Sequence, residues 1–206
     1  MSVVKEKKRP VKELRDQLRR DQIVSAARAC VVRHGFHAAS MGQIAAEAQM
    51  SVGQIYRYFP SKDAIVRAIV ERIVARRLEW MVDRDKHVNF AARFANRHDQ
   101  ASEEERSERV LLLEITAEAT RNPAVAEIAR AADRRLRSQA VELVRGGYPE
   151  LSEQEAAVRV EFVSVLSEGS AFRSLTEPVA APALLESIYR DTLQKLFPRM
   201  TDRELG

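Results

Sequence analysis

Two short segments with the same hydrogen-bonding pattern constrain the fold of this chain more than any other feature. Ser40-Met-Gly-Gln43 and Ser51-Val-Gly-Gln54 each have the form of a capping box, in which serine and glutamine side chains satisfy the first amides of a helix. Pro60 ends the second segment, because the residue before a proline is disfavoured in helical geometry. Two helices of under about ten residues are not stable alone. They must therefore pack on the helices before and after them, as in a helix-turn-helix.

Apolar periodicity predicts both supporting helices. The helix before the two segments carries apolar residues at i, i+3, i+4, i+7 and i+8, namely Ile23, Ala26, Ala27, Cys30 and Val31. It is expected to end at His34, followed by Gly35 in the left-handed conformation, so that Phe36 packs back on Val31. Cys30 is one of these regularly spaced apolar residues and is interpreted as a core residue, not a nucleophile. The helix after the segments begins at Ser61 and carries Ile65, Ile69 and Ile73 on one side.

The remainder of the chain is helical in pattern throughout. We expect helices near 62–84, 88–98, 102–120, 123–145, 152–172 and 182–197, with Ser152-Glu-Gln-Glu155 as a further capping box. Only seven glycines and seven prolines punctuate the 206 residues, which favours helices joined by short connections. The predicted fold is all-α: a basic flexible arm (1–12), a three-helix helix-turn-helix domain (13–62, motif 40–59) and a larger helical bundle (63–206).

The charge is distributed unevenly along the chain. Residues 1–62 contain twelve Lys or Arg against five Asp or Glu, a net charge of +7, whereas the remainder carries −3. A basic N-terminal third on a mildly acidic body indicates that one end meets a polyanion. The basic residues at the very start (Lys5, Lys7, Lys8, Arg9 and Lys12) fit either a DNA-contacting arm or a solvated tail.

Several other classes of protein are excluded or disfavoured. The longest stretch without a charged residue runs from His34 to Ala46, short of the roughly 20 apolar residues of a membrane span. A single cysteine allows no disulfide framework and fits a reducing cytoplasm. His34 and His37 are separated by Gly35, and no acid or thiol completes a metal-binding set, so they are interpreted as surface loop residues. With no nucleophile–base pair or phosphate loop, we expect neither an enzyme nor a cofactor.

The segment from Ile23 to Ile73 closely resembles the DNA-binding domain of the TetR family of bacterial regulators. The residues that carry the resemblance read Arg33-His-Gly-Phe-His-Ala-Ala-Ser40, Ile44-Ala-Ala-Glu-Ala-Gln-Met-Ser51 and Gly53-Gln-Ile-Tyr-Arg-Tyr-Phe-Pro-Ser-Lys-Asp63. Asn122-Pro123 and the segment 166–196 are similar to repressors related to betaine-pathway regulators. The resemblance implies a cytoplasmic, nucleoid-associated regulator, commonly a repressor, that binds a palindromic double-stranded DNA operator as a homodimer. It also implies release by a small effector molecule.

The resemblance assigns DNA contacts to ten residues: Ser40, Gln43, Ser51, Val52, Gly53, Gln54, Tyr56, Arg57, Tyr58 and Lys62. Gln54 is chemically suited to a bidentate pair with adenine, and Arg57 either reaches DNA or points away. The resemblance gives Ser40, both tyrosines and Lys62 phosphate contacts. Val52 departs from the family, where most members carry Lys or Arg, but its methyl groups can meet a thymine methyl.

The effector pocket and the dimer interface are expected in the C-terminal domain. Residues predicted to line a mostly apolar pocket are Trp80, Met81, Phe90, Phe94, Phe162 and Phe172. Glu114 and Glu118 share a helix face that suits a lipophilic cation if it lines the pocket, and is an ordinary solvated face otherwise. The dimer interface is predicted at Phe162, Leu166, Leu185, Ile188, Tyr189 and Leu193. The alternative function is an architectural DNA-binding protein that responds to no small molecule.

Overall fold

Regular secondary structure in the described part of the chain is entirely α-helical. The computed structural model describes residues 8–82, 95, 102–173, 176–177 and 180–198. Within these ranges lie α1 (Lys8–Ala38), α2 (Met41–Glu47), α3 (Val52–Tyr58), α4 (Lys62–Val82), α5 (Glu103–Ala119), α6 (Pro123–Gly147), α7 (Glu153–Arg173) and α8 (Pro182–Leu196). The all-α class predicted from the sequence is confirmed.

Five of the predicted long helices correspond to α4 through α8, with ends that differ by at most two residues. The helix predicted near 88–98 lies outside the described residues, except for Ala95, which is helical and buried. The predicted caps are present: Ser61 Oγ accepts the Ala64 amide over 3.1 Å, and Ser152 and Glu155 form both bonds of a capping box. Local hydrogen-bonding signals therefore locate these helix starts.

The first helix begins earlier than predicted. α1 starts at Lys8, so residues 8–12 form its first turns and do not belong to a flexible arm. Pro10 is compatible with this position, because the first amides of a helix have no intrahelical partner and the N–H that proline lacks is not needed there. The arm predicted at 1–12 is thus wrong for residues 8–12, and residues 1–7 lie outside the described ranges.

Gly35 interrupts α1 three residues before its end. Its φ of 78° and ψ of 162° lie outside the helical region, in a conformation that is accessible almost only to glycine. The positive φ agrees with the predicted helix break, although the ψ angle differs from that of the left-handed helical region. Phe36 follows the break with 3% of its surface exposed, and one further turn of helix reaches Ala38.

One compact unit comprises residues 1–73 and 110–130. Its buried apolar residues come from α1 through α6: Ile23, Ala27, Cys30, Val31, Ile44, Ala45, Ile55, Phe59, Ile65, Ile69, Leu111, Ile115, Val125 and Ile128. The unit extends past the boundary predicted at 62/63, because the first three turns of α4 bury their isoleucines in it. Cys30 is part of this core, as its position among the regularly spaced apolar residues of the first helix predicted.

The other compact unit comprises residues 74–109 and 131–206. Tyr148, Leu193 and Phe197 form its buried cluster, with the Tyr148 and Phe197 ring centroids 5.8 Å apart. Leu193 has only 1% of its surface exposed, so its predicted role at a dimer interface is wrong. The residue lies on the side of α8 that faces Tyr148 and Phe197. α4 and α5 each contribute residues to both units.

Candidate nucleic-acid interface

The two short helices α2 and α3 are each closed by the predicted capping box. Ser40 Oγ accepts the Gln43 amide over 3.2 Å, and Gln43 Oε1 accepts the Ser40 amide over 2.8 Å. Ser51 and Gln54 repeat both bonds at the same distances. The boxes satisfy two amides at each helix start, which is why helices of seven residues form at these positions.

The turn between α2 and α3 is held by backbone and side-chain bonds. Gln49 adopts a left-handed φ of 53°, and the Met50 amide donates to the Ala45 carbonyl over 2.9 Å. From α1, Gln22 Nε2 donates to the Ala48 carbonyl over 2.7 Å. Because α1 is hydrogen-bonded to the turn, the orientation of α3 relative to α2 is set by the packing of the three helices.

The buried and exposed faces of α3 are sharply separated. Ile55 is fully buried, whereas Val52 and Tyr56 are 40% and 51% exposed. The exposed residues of this helix are Val52, Gly53, Gln54, Tyr56 and Arg57. All five are among those to which the resemblance assigns DNA contacts, so one face of α3 brings them together. A Cβ atom added to Gly53 would have no heavy atom within 4 Å, so this position is open to an approaching partner.

Arg57 and Tyr58 are engaged with each other and with α1. Arg57 Nη2 donates to the Tyr58 hydroxyl over 2.8 Å, and the Tyr58 hydroxyl lies 3.4 Å from Asp16 Oδ1. The hydrogen bond to Tyr58 raises the pKa of Arg57 above its ordinary value. The hydroxyl implied to hold a phosphate therefore already has two protein partners. Arg57 is hydrogen-bonded to its neighbour Tyr58, and its contact with DNA stays a prediction.

A cleft of about 800 Å³ separates the first half of α1 from α3. Its lining contains five cationic side chains, Lys12, Arg15, Arg19, Arg20 and Arg57, and one carboxylate, Asp16. The uncharged residues Met50, Gln54 and Tyr58 complete it. Sequence reasoning did not single out Arg15, Arg19 or Arg20. Their spacing from Lys12 would have placed them on one side of a helix, had α1 been extended that far. A concave cationic surface beside α3 suits a phosphate backbone.

The resemblance implies that Lys62 contacts a phosphate, but in the structure its ammonium group contacts Phe36. Its Nζ donates to the Phe36 carbonyl and lies 4.3 Å from the centroid of the Phe36 ring. Desolvation lowers the pKa of this ammonium group, while Glu118 and Asp63 partly oppose the shift. Lys62 thus ties the start of α4 to the break in α1.

Glu114 and Glu118 belong to the same compact unit as α1 to α3, and Glu114 contacts α1. Glu114 Oε2 accepts the Phe36 amide over 2.7 Å, so the backbone N–H and C=O of Phe36 are both hydrogen-bonded to side chains. A Cβ atom on Gly35 would lie 3.3 Å from the same Glu114 oxygen. Glu118 is 8% exposed and lies 2.7 Å from Arg121 Nη2. Neither carboxylate fits the solvated or cation-binding face that the sequence left open.

The other residues predicted to line a pocket have different outcomes. Phe90, Phe94 and the Trp80 side chain lie outside the described residues, and Met81 is half-buried. Phe162 and Phe172 are 42% and 59% exposed, and their role as pocket-lining residues stays a prediction. Both fall on the outer side of α7, with the exposed Val158 and Val165.

We use the name apolar stripe for the exposed residues Val158, Phe162, Val165 and Phe172 of α7 with Leu184 and Ile188 of α8. Three residues predicted at a dimer interface, Leu166, Leu185 and Tyr189, line a groove of about 340 Å³ beside it. Val158, Val165 and Leu184 were not predicted at the interface. Their helical spacing from Phe162 and Ile188 was the signal for them.

Among the helices that the structure describes, none is both long and apolar enough to cross a membrane.

Comparisons with known proteins identify two matching families. Residues 23–69 match the tetR family of bacterial regulatory proteins, and residues 99–198 match the C-terminal part of BetI-type transcriptional repressors. Together the matches cover about seven-tenths of the chain. The HTH-type transcriptional regulator UidR of Escherichia coli K12 is 34% identical over 107 residues, which is 52% of this chain and 55% of that regulator. The chain thus spans about half the length of the curated relatives that it matches.

Solved structures extend the likeness to most of the chain. Salmonella enterica GusR is 26% identical, with a TM-score of 0.65 over 87% of this chain and 95% of that one. A transcriptional regulator from Saccharomonospora viridis, solved in complex with choline, is 21% identical, with a TM-score of 0.65 over 85% and 95% of the two chains. The second likeness is one of fold. The chain therefore belongs to the TetR family of bacterial regulatory proteins.

Proposed function

We propose that this chain is a repressor that binds a palindromic operator as a homodimer and leaves it when a small, mostly apolar molecule binds the C-terminal helices. The observation that carries the proposal is that both backbone polar groups of Phe36 are hydrogen-bonded to side chains of other helices. Its amide donates to Glu114 of α5, and its carbonyl accepts from Lys62 of α4. Two helices that continue into the other compact unit therefore contact the backbone of the same residue, on the two peptide groups that flank its Cα atom.

The exposed face of α3 supports the DNA-binding part of the proposal. A helix of seven residues reaches few base pairs, so specificity requires two copies presented about one DNA turn, ~34–36 Å, apart. The cationic cleft between α1 and α3 supplies charge for the phosphate backbone beside the bases. Arg15 and Arg19 join Lys12 there as candidates for phosphate contact.

The apolar stripe supports the homodimer. Six large apolar side chains exposed on two adjacent helices, from Phe162 at 42% to Leu184 at 71%, are costly to leave in water. A second copy related by a two-fold axis covers them with the same surface, as isologous contacts do. α7 and α8 of both copies then form a four-helix contact.

The continuity of α4 and α5 supports the link between effector and operator. An effector that prefers one arrangement of these helices moves Glu114 and Lys62, and through them Phe36 and the packing of α1 on α2 and α3. Such a molecule needs no contact with DNA, but only a difference in affinity between the two arrangements. By linkage, the operator then weakens effector binding by the same factor, typically about 1–3 kcal/mol.

The test begins by selecting duplexes from a random DNA library with the purified protein. We expect a palindrome with half-sites about one turn apart. Apolar and cationic small molecules are then screened for thermal stabilisation, and each true binder is titrated by calorimetry with and without the selected operator. A reporter gene downstream of that operator should be silenced by the protein and restored by the binder.

Matched variants connect the response to the proposed contact. Glu114→Ala, which removes the acceptor for the Phe36 amide, should bind the effector but show a smaller difference between the two titrations. The exposed Glu71→Ala serves as the control. Equal effector affinity with and without operator in the wild type would refute the ligand-responsive part of the proposal.

A further inference from the structure

The amide group of Gln54 is oriented by the helix that carries it. Its oxygen, Oε1, accepts the Ser51 backbone amide over 2.8 Å as one half of the capping box. The Gln54 backbone amide donates to Ser51 Oγ over 3.2 Å as the other half. Gln54 is nevertheless exposed on the face of α3 that carries the expected DNA contacts. Its oxygen is therefore turned toward the start of the helix, and its nitrogen, Nε2, is the outward polar atom.

This orientation changes which base the side chain suits. A bidentate pair with adenine needs an acceptor and a donor of the amide presented together to the base edge, because adenine offers the N7 acceptor and the N6 amino donor. Guanine offers two neighbouring acceptors, N7 and O6. The Nε2 group carries two N–H bonds and no acceptor. A capped glutamine therefore matches guanine and leaves the adenine amino group without a partner.

We infer that Gln54 reads guanine as a hydrogen-bond donor, and that Ser51 is the positioning residue that orients it. The inference rests on the proposed operator binding and replaces the adenine pair expected from the sequence. Reading adenine through both amide atoms would require Gln54 to turn its oxygen outward. The helix would then lose one of the two bonds of its cap, which opposes that conformation.

Gln43 gives independent support, because the same box fixes it in the same way on α2. Its Oε1 accepts the Ser40 amide over 2.8 Å, which again leaves the nitrogen as the free end of an exposed side chain. The family resemblance places this residue at the DNA backbone or a base edge. Phosphate oxygens only accept hydrogen bonds, so a donor is the polarity needed there. Both capped glutamines thus present the same polarity toward DNA.

The experiment is a binding selection from random duplexes with the wild type, Gln54→Lys, Gln54→Glu and Gln54→Met, followed by affinity measurements on every single-base variant of the selected operator. Lysine retains donors but no acceptor, and glutamate retains the acceptor for the Ser51 amide but no donor. Methionine retains the length with neither group. Gln154→Glu, an exposed glutamine on α7, is the control for added negative charge.

We expect one position in each half-site at which the wild type prefers guanine by about tenfold or more. Gln54→Lys should keep that preference, whereas Gln54→Glu and Gln54→Met should abolish it without altering the other positions. Gln154→Glu should resemble the wild type throughout. Helicity measured by circular dichroism verifies that each variant is folded.

The outcomes separate the inference from the function on which it rests. A selected palindrome with adenine at the position altered by the Gln54 variants would overturn the donor assignment and leave the operator intact. A palindrome that no Gln54 variant alters would overturn it as well. If the folded wild type selects no common sequence, the proposed operator binding itself is wrong.

Discussion

Glu114 Oε2 accepts a hydrogen bond from the backbone amide of Phe36 over 2.7 Å, across 78 residues of sequence. The bond satisfies this amide directly after Gly35, where α1 is broken. We expect Glu114→Ala to lower the free energy of unfolding by about 1.5–3 kcal/mol, as for other hydrogen bonds to charged groups. Urea unfolding measures the loss. Glu114→Gln, which keeps an acceptor at that position, should lose less, and the exposed Glu71→Ala should lose little. Equal losses in all three variants would contradict the role given to this bond.

Gly35 is required at the break in α1 for two reasons. Its φ of 78° with ψ of 162° is strained for any residue with a Cβ atom, and that atom would lie 3.3 Å from Glu114 Oε2. Gly35→Ala should therefore lower the free energy of unfolding by at least about 1 kcal/mol. Gly146→Ala is the matched control, because Gly146 is helical and open to solvent, and alanine favours helix there by up to about 1 kcal/mol. Thermal unfolding of the pair should show shifts of opposite sign. A neutral Gly35→Ala would show that the break tolerates a side chain.

The depressed pKa of Lys62 predicts how stability depends on pH. Desolvation lowers this pKa from the ordinary 10.5, so the unfolded chain binds the proton more tightly than the folded one. The contribution of Lys62 to stability is therefore fully present above 10.5 and is lost as the pH falls through the folded pKa. Lys62→Arg keeps a cation and its donors but does not titrate in this range. We expect the unfolding free energy of the wild type relative to Lys62→Arg to increase as the pH rises toward 10.5. Chemical unfolding across that range checks the sign, and a decrease would contradict it.

Ile188 tests the role of the apolar stripe. The residue is 62% exposed, and Ile188→Asp would place a charge in the middle of the proposed contact between two copies. We expect dimers at micromolar concentration to become monomers, with a loss of affinity for the operator greater than for a half-site. Leu143→Asp, at an exposed leucine of α6 outside the stripe, should remain dimeric. Sedimentation velocity distinguishes the species. Dissociation of both variants, or of neither, would place the interface elsewhere.

Local features were readable from the sequence, because they depend on residues a few positions apart. The capping boxes at Ser40 and Ser51 were predicted and are confirmed, as is the cap at Ser61. α3 ends at Tyr58, as Pro60 indicated. The burial of Cys30 followed from helical periodicity. In each case, spacing along one helix or the chemistry of one turn was sufficient.

The tertiary structure decided what lies opposite each side chain. Leu193 and Ile188 are five residues apart on one apolar helix, yet Leu193 packs on Tyr148 and Phe197 while Ile188 is exposed. Periodicity marks a helix as two-sided but does not say which side faces its own core when both are apolar. Only the folded neighbours distinguish them.

The hydrogen-bond partners of Glu114 and Lys62 also could not be predicted from the sequence. The sequence by itself determined that Glu114 and Glu118 share a helix face and that Gln54 belongs to the capping box of α3. Glu114 accepts the Phe36 amide and Lys62 donates to the Phe36 carbonyl, and these contacts join residues 78 and 26 positions apart in sequence. Such long-range pairings are set by how α4 and α5 pack beside α1, since chain spacing carries no information about which distant amide a carboxylate will meet.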